Sequence, residues 1–511
     1  MVARIADPTL DREIVARKSE MEIAAGATVA KHFESLDANA RDLFVASMQW
    51  MENCWDEAAA LLSGSEGKGA ARQHAIRGSV WYAFGLLMRN RPGDGARAIR
   101  VIDTALNYQF DAPQRVFHGT FFRSPEEPYP PENAVTWRDY DPNWREFNIT
   151  ALGLVLLEYS DQLPRTLVQK IDDAIRKAVA GALARGLSAS YTNIALMYSF
   201  MLCFAGKRFD EPMWIEEGER MAREVYRLFK QHNTFAEYNS PTYYGVDLYA
   251  LALWRSYPTL SPLLAQLGGE MEALLWRDIA RFYHADLRNL AGPYDRSYGM
   301  DMGRYASVVG LVMRLAIDKT HAPFPDTNGS FEHDHDIGFV PLNAFLGVRI
   351  PSDALLHFVA FRGERQVEQV LADAPRRVAT TWLGKEIMIG GEFTSRTAPT
   401  SNQLFPGTIH WRINTGQIGW IRLLYLEPVD AHASRNRLEI QTTSEIAFLV
   451  SAPGTSIEQF ERDCWRLPQL MVRVESDAES MGVQPRAGLF EIRYKVPSGQ
   501  PITCTLKCED E

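Results

Sequence analysis

Tyr191-Thr192-Asn193-Ile194-Ala195-Leu196-Met197-Tyr198-Ser199-Phe200-Met201-Leu202-Cys203-Phe204 is almost wholly apolar around every side of a helical projection. A surface helix shows one apolar stripe, whereas a helix that is apolar all round is enclosed by neighbours. The stretch therefore reads as a buried inner helix. Its sequence neighbours are one-faced. Leu167, Ile171, Ala174 and Ala178 recur at helical spacing behind Pro164, with Asp161 as the expected cap, and Asp210 and Pro212 open a segment reaching about Lys230.

Outward from that helix the same texture continues. Leu43–Trp55, Ser79–Arg89, Ala96–Leu106 and Trp144–Tyr159 precede it, and Val246–Tyr257, Pro262–Leu287 and Gly303–Ile317 follow. That makes roughly ten to twelve helices with short, aromatic-rich connections. After about residue 350 the pattern changes to short β-rich runs between Gly, Pro, Asn and Asp turns. Leu355–Phe361, Glu386–Ile389, Thr408–Ile413, Ile418–Leu426, Glu445–Val450, Leu470–Val474 and Leu489–Val496 are the expected strands of an antiparallel sandwich. Ala322–Gly338, rich in Pro, Asp, His and Gly, is expected to be the linker. The expected units are a helical domain over 1–335 and a β-domain over 336–511.

Composition narrows the function classes. The chain has 511 residues, 46% hydrophobic and 23% charged, with a net charge of −10. An acidic balance argues against nucleic acid as the main partner, which calls for a basic patch. Met1–Glu20 carries charges throughout with no apolar signal core, and no apolar run has the length of a membrane span. Five cysteines form no dense disulfide framework, and Cys504 and Cys508 are expected on one strand. A reducing cytoplasm is the expected location. No phosphate-cradling loop, nucleophile elbow or dinucleotide fingerprint occurs, so no cofactor is expected.

Four polar-aromatic clusters fall between or beside helices: Val116–Arg123 with His118, Trp137–Asn148, Phe235–Gly245, and Gly292–Asp301. The third packs Glu237, Tyr238, Asn239, Tyr243 and Tyr244 into a short connection, and Asn193 lies some fifty residues before it. Loops on a rigid scaffold carry binding and catalytic side chains. Trp and Tyr faces stack on sugar rings, while Asn, Asp and Arg satisfy hydroxyls. Arg145 or Arg296 suits a uronate carboxylate, by a bidentate fork. The alternative is that these arginines bridge helix ends to Asp141, Glu146 or Asp295. Asn193, inside the most apolar helix, either meets a substrate carboxylate or ties two helices together. His333 and His335 alternate in the expected linker without a helical metal spacing, so no metal is expected. His410, on an expected strand, is a candidate for a cleft at the domain junction, against the alternative of a solvated strand face.

The layout resembles the heparinase II/III and alginate-lyase superfamily of polysaccharide lyases. Asn143-Trp144-Arg145-Glu146-Phe147-Asn148 is similar to the family's Asn-Trp-Trp-x-x-Glu-Ile-Gly segment. Tyr191-Thr192-Asn193 resembles the position of its carboxylate-neutralising Asn, and Phe235 through Tyr244 looks like the stretch that supplies a catalytic Tyr. Two departures stand out: Ile194 follows Asn193 where many lyases place a His, and His232-Asn233-Thr234 replaces the Asp-Gly-Ser lead-in. The resemblance implies an N-terminal α/α toroid, an incomplete barrel, followed by a C-terminal antiparallel β-sandwich. It implies β-elimination on a uronic-acid glycan. Asn193, Tyr243, Tyr244, Arg296, Tyr298 and His118 are then the catalytic candidates. Trp144, Arg145, Glu146, Glu237, Tyr238, Asn239, Asp295 and His410 are the substrate-binding ones. A glycoside hydrolase with Glu237 and Asp295 as its carboxyl pair, and a carbohydrate-binding protein without catalysis, are the rival readings. The expected partner is an oligosaccharide or polysaccharide, with no nucleic acid or membrane, and a homo-oligomer is compatible with all three.

Overall fold

The computed structural model describes residues 29, 32–64, 73–395, 402–495 and 502–509. Its helices are α1 (Ala38–Asn53), α2 (Ile76–Arg89), α3 (Asp94–Leu106), α4 (Trp144–Glu158), α5 (Arg165–Arg185), α6 (Thr192–Phe209), α7 (Pro212–His232), α8 (Tyr243–Ser256), α9 (Pro262–Phe282), α10 (Val308–Ala316), α11 (Val340–Leu346) and α12 (Ser352–Val359). α2, α4, α6 and α8 are inner helices, and α3, α5, α7 and α9 pack outside them in alternation. α11 packs on both α2 and α8 and so closes the ring. This is the α/α toroid. Inner α6 has fifteen buried residues from Thr192 to Gly206, as its all-round apolar sequence requires. Boundaries follow local chemistry. Asp37 and Ser261 accept the first-turn amides of α1 and α9, and Pro262 opens α9 where no amide hydrogen is missed.

An eight-stranded and a five-stranded antiparallel sheet follow, enclosing a second core that includes Trp411, Phe448, Trp465 and Tyr494. The larger sheet is seated on the helical domain. Thr381, Gly390 and Thr408 are cross-strand neighbours. Thr381 Oγ1 donates to Gly292 O at 2.7 Å. A Cβ on Gly390 would meet the Gly292 carbonyl, so only glycine fits this approach. One position along, Thr380 and Gly391 face the smaller sheet at Ala433. The period-two alternation thus assigns one face to each neighbour. The first hydrophobic core runs without a break from the helices into Val367, Ala379, Leu383 and Met388. Cys504 and Cys508 share the last strand, Ile502–Glu509, and both are buried.

Four expectations are corrected. Leu355–Phe361 is not a strand: Ser352–Val359 is helical and packs its apolar side on α9. Asp161 does not cap α5, whose N-cap is Pro164. α9 ends at Phe282, and Tyr283–His284 pairs with Asn289–Leu290 instead of extending it. Ala322–Gly338 is not the junction between helices and sheets. Its end, Asp334–Phe339, is a 3₁₀ turn with Asp336, Ile337, Gly338 and Phe339 buried, and helices continue past residue 335 to Val359 before the first strand of the large sheet begins at Arg365. Among the described residues no helix is long and apolar enough to cross a membrane.

Candidate functional site

The first turns of α4, α6 and α8 lie at one end of the toroid. They are joined side to side: Asn143 Nδ2 donates to Tyr191 Oη at 2.7 Å, and Thr192 Oγ1 donates to Glu237 Oε2 at 2.9 Å. Helix N-termini present unpaired amides and positive potential, and Asn193 N reaches Glu237 Oε2 at 3.3 Å. The Asn193 side-chain amide also donates to Glu237, while its Oδ1 is buried with no hydrogen-bond partner.

Arg296 crosses this end from the loop after α9. It pairs with the second Glu237 oxygen, donates Nη2 to Tyr243 Oη at 2.7 Å, and lies over the Tyr243 ring at 3.8 Å. Its Nε donates to Gln403 Oε1 at 2.9 Å, so the β-domain supplies one wall. Burial alone would lower the Arg296 pKa, but Tyr243 and Glu237 hold it above the ordinary value. The Tyr243 and Tyr298 hydroxyls are 2.6 Å apart, and Tyr298 opens to solvent with 37% exposure. Burial and the neighbouring Tyr298 raise the Tyr243 pKa, against the pull of Arg296. Tyr243 therefore keeps its proton at neutral pH and serves as a donor. Burial thus outweighs the adjacent guanidinium, whose pull alone would lower the phenol's pKa.

One turn into α8, on the face it shares with Tyr243, sits Asp247. It is fully buried, and neither carboxyl oxygen has a geometric hydrogen-bond partner. Burial, then the Glu237 charge, push its pKa well up. Tyr191, with its pKa raised by burial, faces Arg185 at 5.8 Å and Trp137 at 6.4 Å.

The structure thus brings Asn193, Glu237, Tyr243, Arg296 and Tyr298 together. Other candidates lie elsewhere. Tyr244 is turned into the core, where its hydroxyl meets Thr234 Oγ1 at 2.6 Å and Asp278 Oδ2 at 3.1 Å; the expectation that Tyr244 shares a cleft with Asn193 and Arg296 is corrected. The reason is helical phase, since Tyr243 and Tyr244 point about 100° apart on α8. Tyr238 is fully buried against the edge of Phe282. Asn239 staples the chain, donating to Ala291 O at 2.7 Å and Pro293 O at 2.9 Å. His118 accepts the Ala112 amide through Nδ1 at 3.1 Å, and burial lowers its pKa. Arg145 donates to His118 O at 2.7 Å and is fully buried beside Glu146, whose pKa burial raises. Trp144 is covered by Arg77 at 5.0 Å. Asp295 pairs with Arg377 at 3.0 Å across the domain junction. His410 is neither in a cleft nor solvated: it is fully buried, its Nε2 is 3.0 Å from Met300 O, and burial drops its pKa to about 4.

Sequence reasoning did not select Tyr191, Thr192, Asp247 or Gln403. Asp247 carried a signal, an acid four residues after Tyr243 inside an apolar helix. Gln403 carried none.

No curated protein matches the chain. Among solved structures it is similar in fold to heparinase III, at 10% identity and a TM-score of 0.44 over 93% of this chain and 85% of that one. It is also similar to the Streptomyces coelicolor A3 chondroitin AC lyase, at 9% identity and a TM-score of 0.44 over 93% and 79% of the two chains. A lower TM-score of 0.28, at 10% identity over 90% and 78%, relates it to the Clostridium thermocellum endoglucanase CelQ. Residues 363–485 match the family described as domain of unknown function DUF8770. Residues 41–347, more than half of the chain, match the one described as domain of unknown function DUF8769, and the protein belongs to that DUF8769 family.

Proposed function

We propose that the protein cleaves a uronic-acid-containing glycan by β-elimination at the open end of the toroid. The observation that carries this reading is the Tyr298–Tyr243–Arg296 chain, in which an exposed phenol is backed by a protonated phenol and then by a guanidinium. Elimination needs a group that takes the proton beside the uronate carboxylate and returns one to the leaving glycosidic oxygen. A tyrosine can do both, if its phenolate is stabilised. Tyr243 donates its hydrogen to the Tyr298 oxygen, and Arg296 fixes Tyr243. Tyr298, as its phenolate, removes the C5 proton and becomes the neutral phenol, the C4–O4 bond breaks with its electron pair leaving on oxygen, and the phenol passes the proton to that oxygen and returns to phenolate. Tyr298 is the catalytic residue, and Tyr243 and Arg296 position and polarise it. The converging helix N-termini favour an anionic substrate.

The test is incubation with glucuronan, alginate and glycosaminoglycan oligomers, read by ultraviolet absorbance of the 4,5-unsaturated product. Cleavage without that chromophore refutes elimination. One observation favours a second reading, hydrolysis. Glu237 is held by Thr192, Asn193 and Arg296, as a nucleophilic carboxylate would be. A hydrolase needs a second carboxyl about 5 Å away for retention, or about 6.5–9.5 Å for inversion. Asp295, the expected second member, is engaged by Arg377. Saturated reducing ends, abolished in Glu237→Gln, would establish the second reading.

A further inference from the structure

The elimination reading leaves one charge unaccounted for. A uronate carboxylate must be neutralised before its neighbouring C–H becomes acidic. Yet each Arg296 nitrogen already has an acceptor: Glu237, Tyr243 and Gln403. The Asn193 amide is likewise spent on Glu237.

Next to Tyr298 lies a donor set that the function has not absorbed. The His333 ring stacks on Tyr298 with centroids 4.6 Å apart and planes at 28°, and meets the Tyr305 ring at 6.2 Å. His333 sits at φ 54°, a left-handed conformation uncommon for histidine and held by the turn in which Asp336 N donates to His333 O at 3.0 Å. That turn gathers ligand atoms of His333, His335 and Asp336 to within 4.8 Å of one another. The segment is pinned at its start, where Ala306 N donates to Glu332 O at 2.9 Å, and at its end by buried Ile337 and Phe339. Two imidazoles and a carboxylate are the ligands of open, three-coordinate protein sites for zinc and similar ions, with bonds of about 2.0–2.2 Å. Closing the three donors onto such an ion takes shifts on the order of 1 Å, within reach of side-chain torsions.

We propose that His333, His335 and Asp336 bind a divalent transition-metal ion, and that this ion, beside the catalytic phenol, receives the substrate carboxylate. The second half rests on the elimination reading; the first does not. Three protein ligands leave coordination positions for a carboxylate oxygen, and the stacking of His333 on Tyr298 sets the ion next to the proton-transfer group.

The test uses the full chain, stripped with chelator and titrated with ZnCl2 by calorimetry. The expected result is one Zn2+ per chain, with binding weakened more than about 10-fold in both His335→Gln and Asp336→Asn. His335 is 39% exposed in its side chain, so His335→Gln keeps the fold even if His333 variants do not. No uptake by the parent, or equal uptake by both variants, overturns the site. Uronate oligomers are then titrated into Tyr298→Phe, which cannot turn them over, with and without Zn2+. Binding that needs Zn2+ supports the carboxylate role. Binding indifferent to Zn2+ overturns that role and leaves the ion site standing. Zn2+ uptake with no uronate binding in either state overturns both the carboxylate role and the elimination reading, again without touching the site.

Discussion

Tyr243 and Tyr244 are adjacent, and removing one oxygen from each should cost similar stability but slow turnover only at Tyr243. In Tyr243→Phe the ring remains under Arg296, but the hydrogen bond 2.6 Å from the Tyr298 oxygen is lost. A single donor aimed at developing negative charge is worth about 10²–10³ in kcat, or roughly 2.7–4 kcal/mol. Arg296 also loses one of its three acceptors, so the fold should weaken by about 1–3 kcal/mol. In Tyr244→Phe the lost hydroxyl served Thr234 and Asp278 inside the core. Stability should again fall by about 1–3 kcal/mol, with turnover per folded molecule unchanged. The assay pairs guanidinium denaturation with initial rates of unsaturated-uronate formation under saturating substrate. Matched stability losses with a rate loss confined to Tyr243→Phe are expected. A rate loss of equal size in Tyr244→Phe, or full turnover in Tyr243→Phe, refutes the placement of proton transfer at the Tyr298 end of the network.

Glu237→Gln removes the counter-charge of an arginine whose side chain is 24% exposed against 6% for the glutamate, and should destabilise by roughly 2–3 kcal/mol in the same denaturation assay. His284 and His410 are both held neutral by burial, with values near 4 against an ordinary 6.5. Because folding favours the neutral imidazole, their stability contribution is complete above 6.5 and is lost as pH falls toward about 4, roughly 3 kcal/mol each. A denaturation series across that window should steepen toward acid, and His410→Gln should make it shallower. Gly390→Ala drives a methyl into the Gly292 carbonyl and should cost about 1–3 kcal/mol, seen as a lowered melting temperature.

Helices of the toroid were legible because periodicity of 3.6 reports burial directly: the all-round apolar α6 and the one-faced α5 declared their layers. Ser352–Val359 was not legible, because a short apolar run is compatible with either a strand or a buried helix, and contact with α9 decides it. Glu237 and Arg296 were each readable as function-capable groups. Their pairing spans 59 residues and depends on how the ring closes. The choice between Tyr243 and Tyr244 turned on where α8 begins, since one residue of phase exchanges cleft for core. His410 was misplaced because strand alternation gives two faces without saying that both are covered.

The Arg296–Gln403 hydrogen bond joins residues 107 apart in the chain, and Asp295–Arg377 joins residues 82 apart. Contacts of such long sequence separation are slow to form, because the loop must close before anything rewards it. The network behind Tyr298 is therefore completed only once the sheets have docked, and a nascent chain with finished helices still lacks it. Recovery of turnover after dilution from denaturant should lag the return of helical circular dichroism, with the interval timing the docking step.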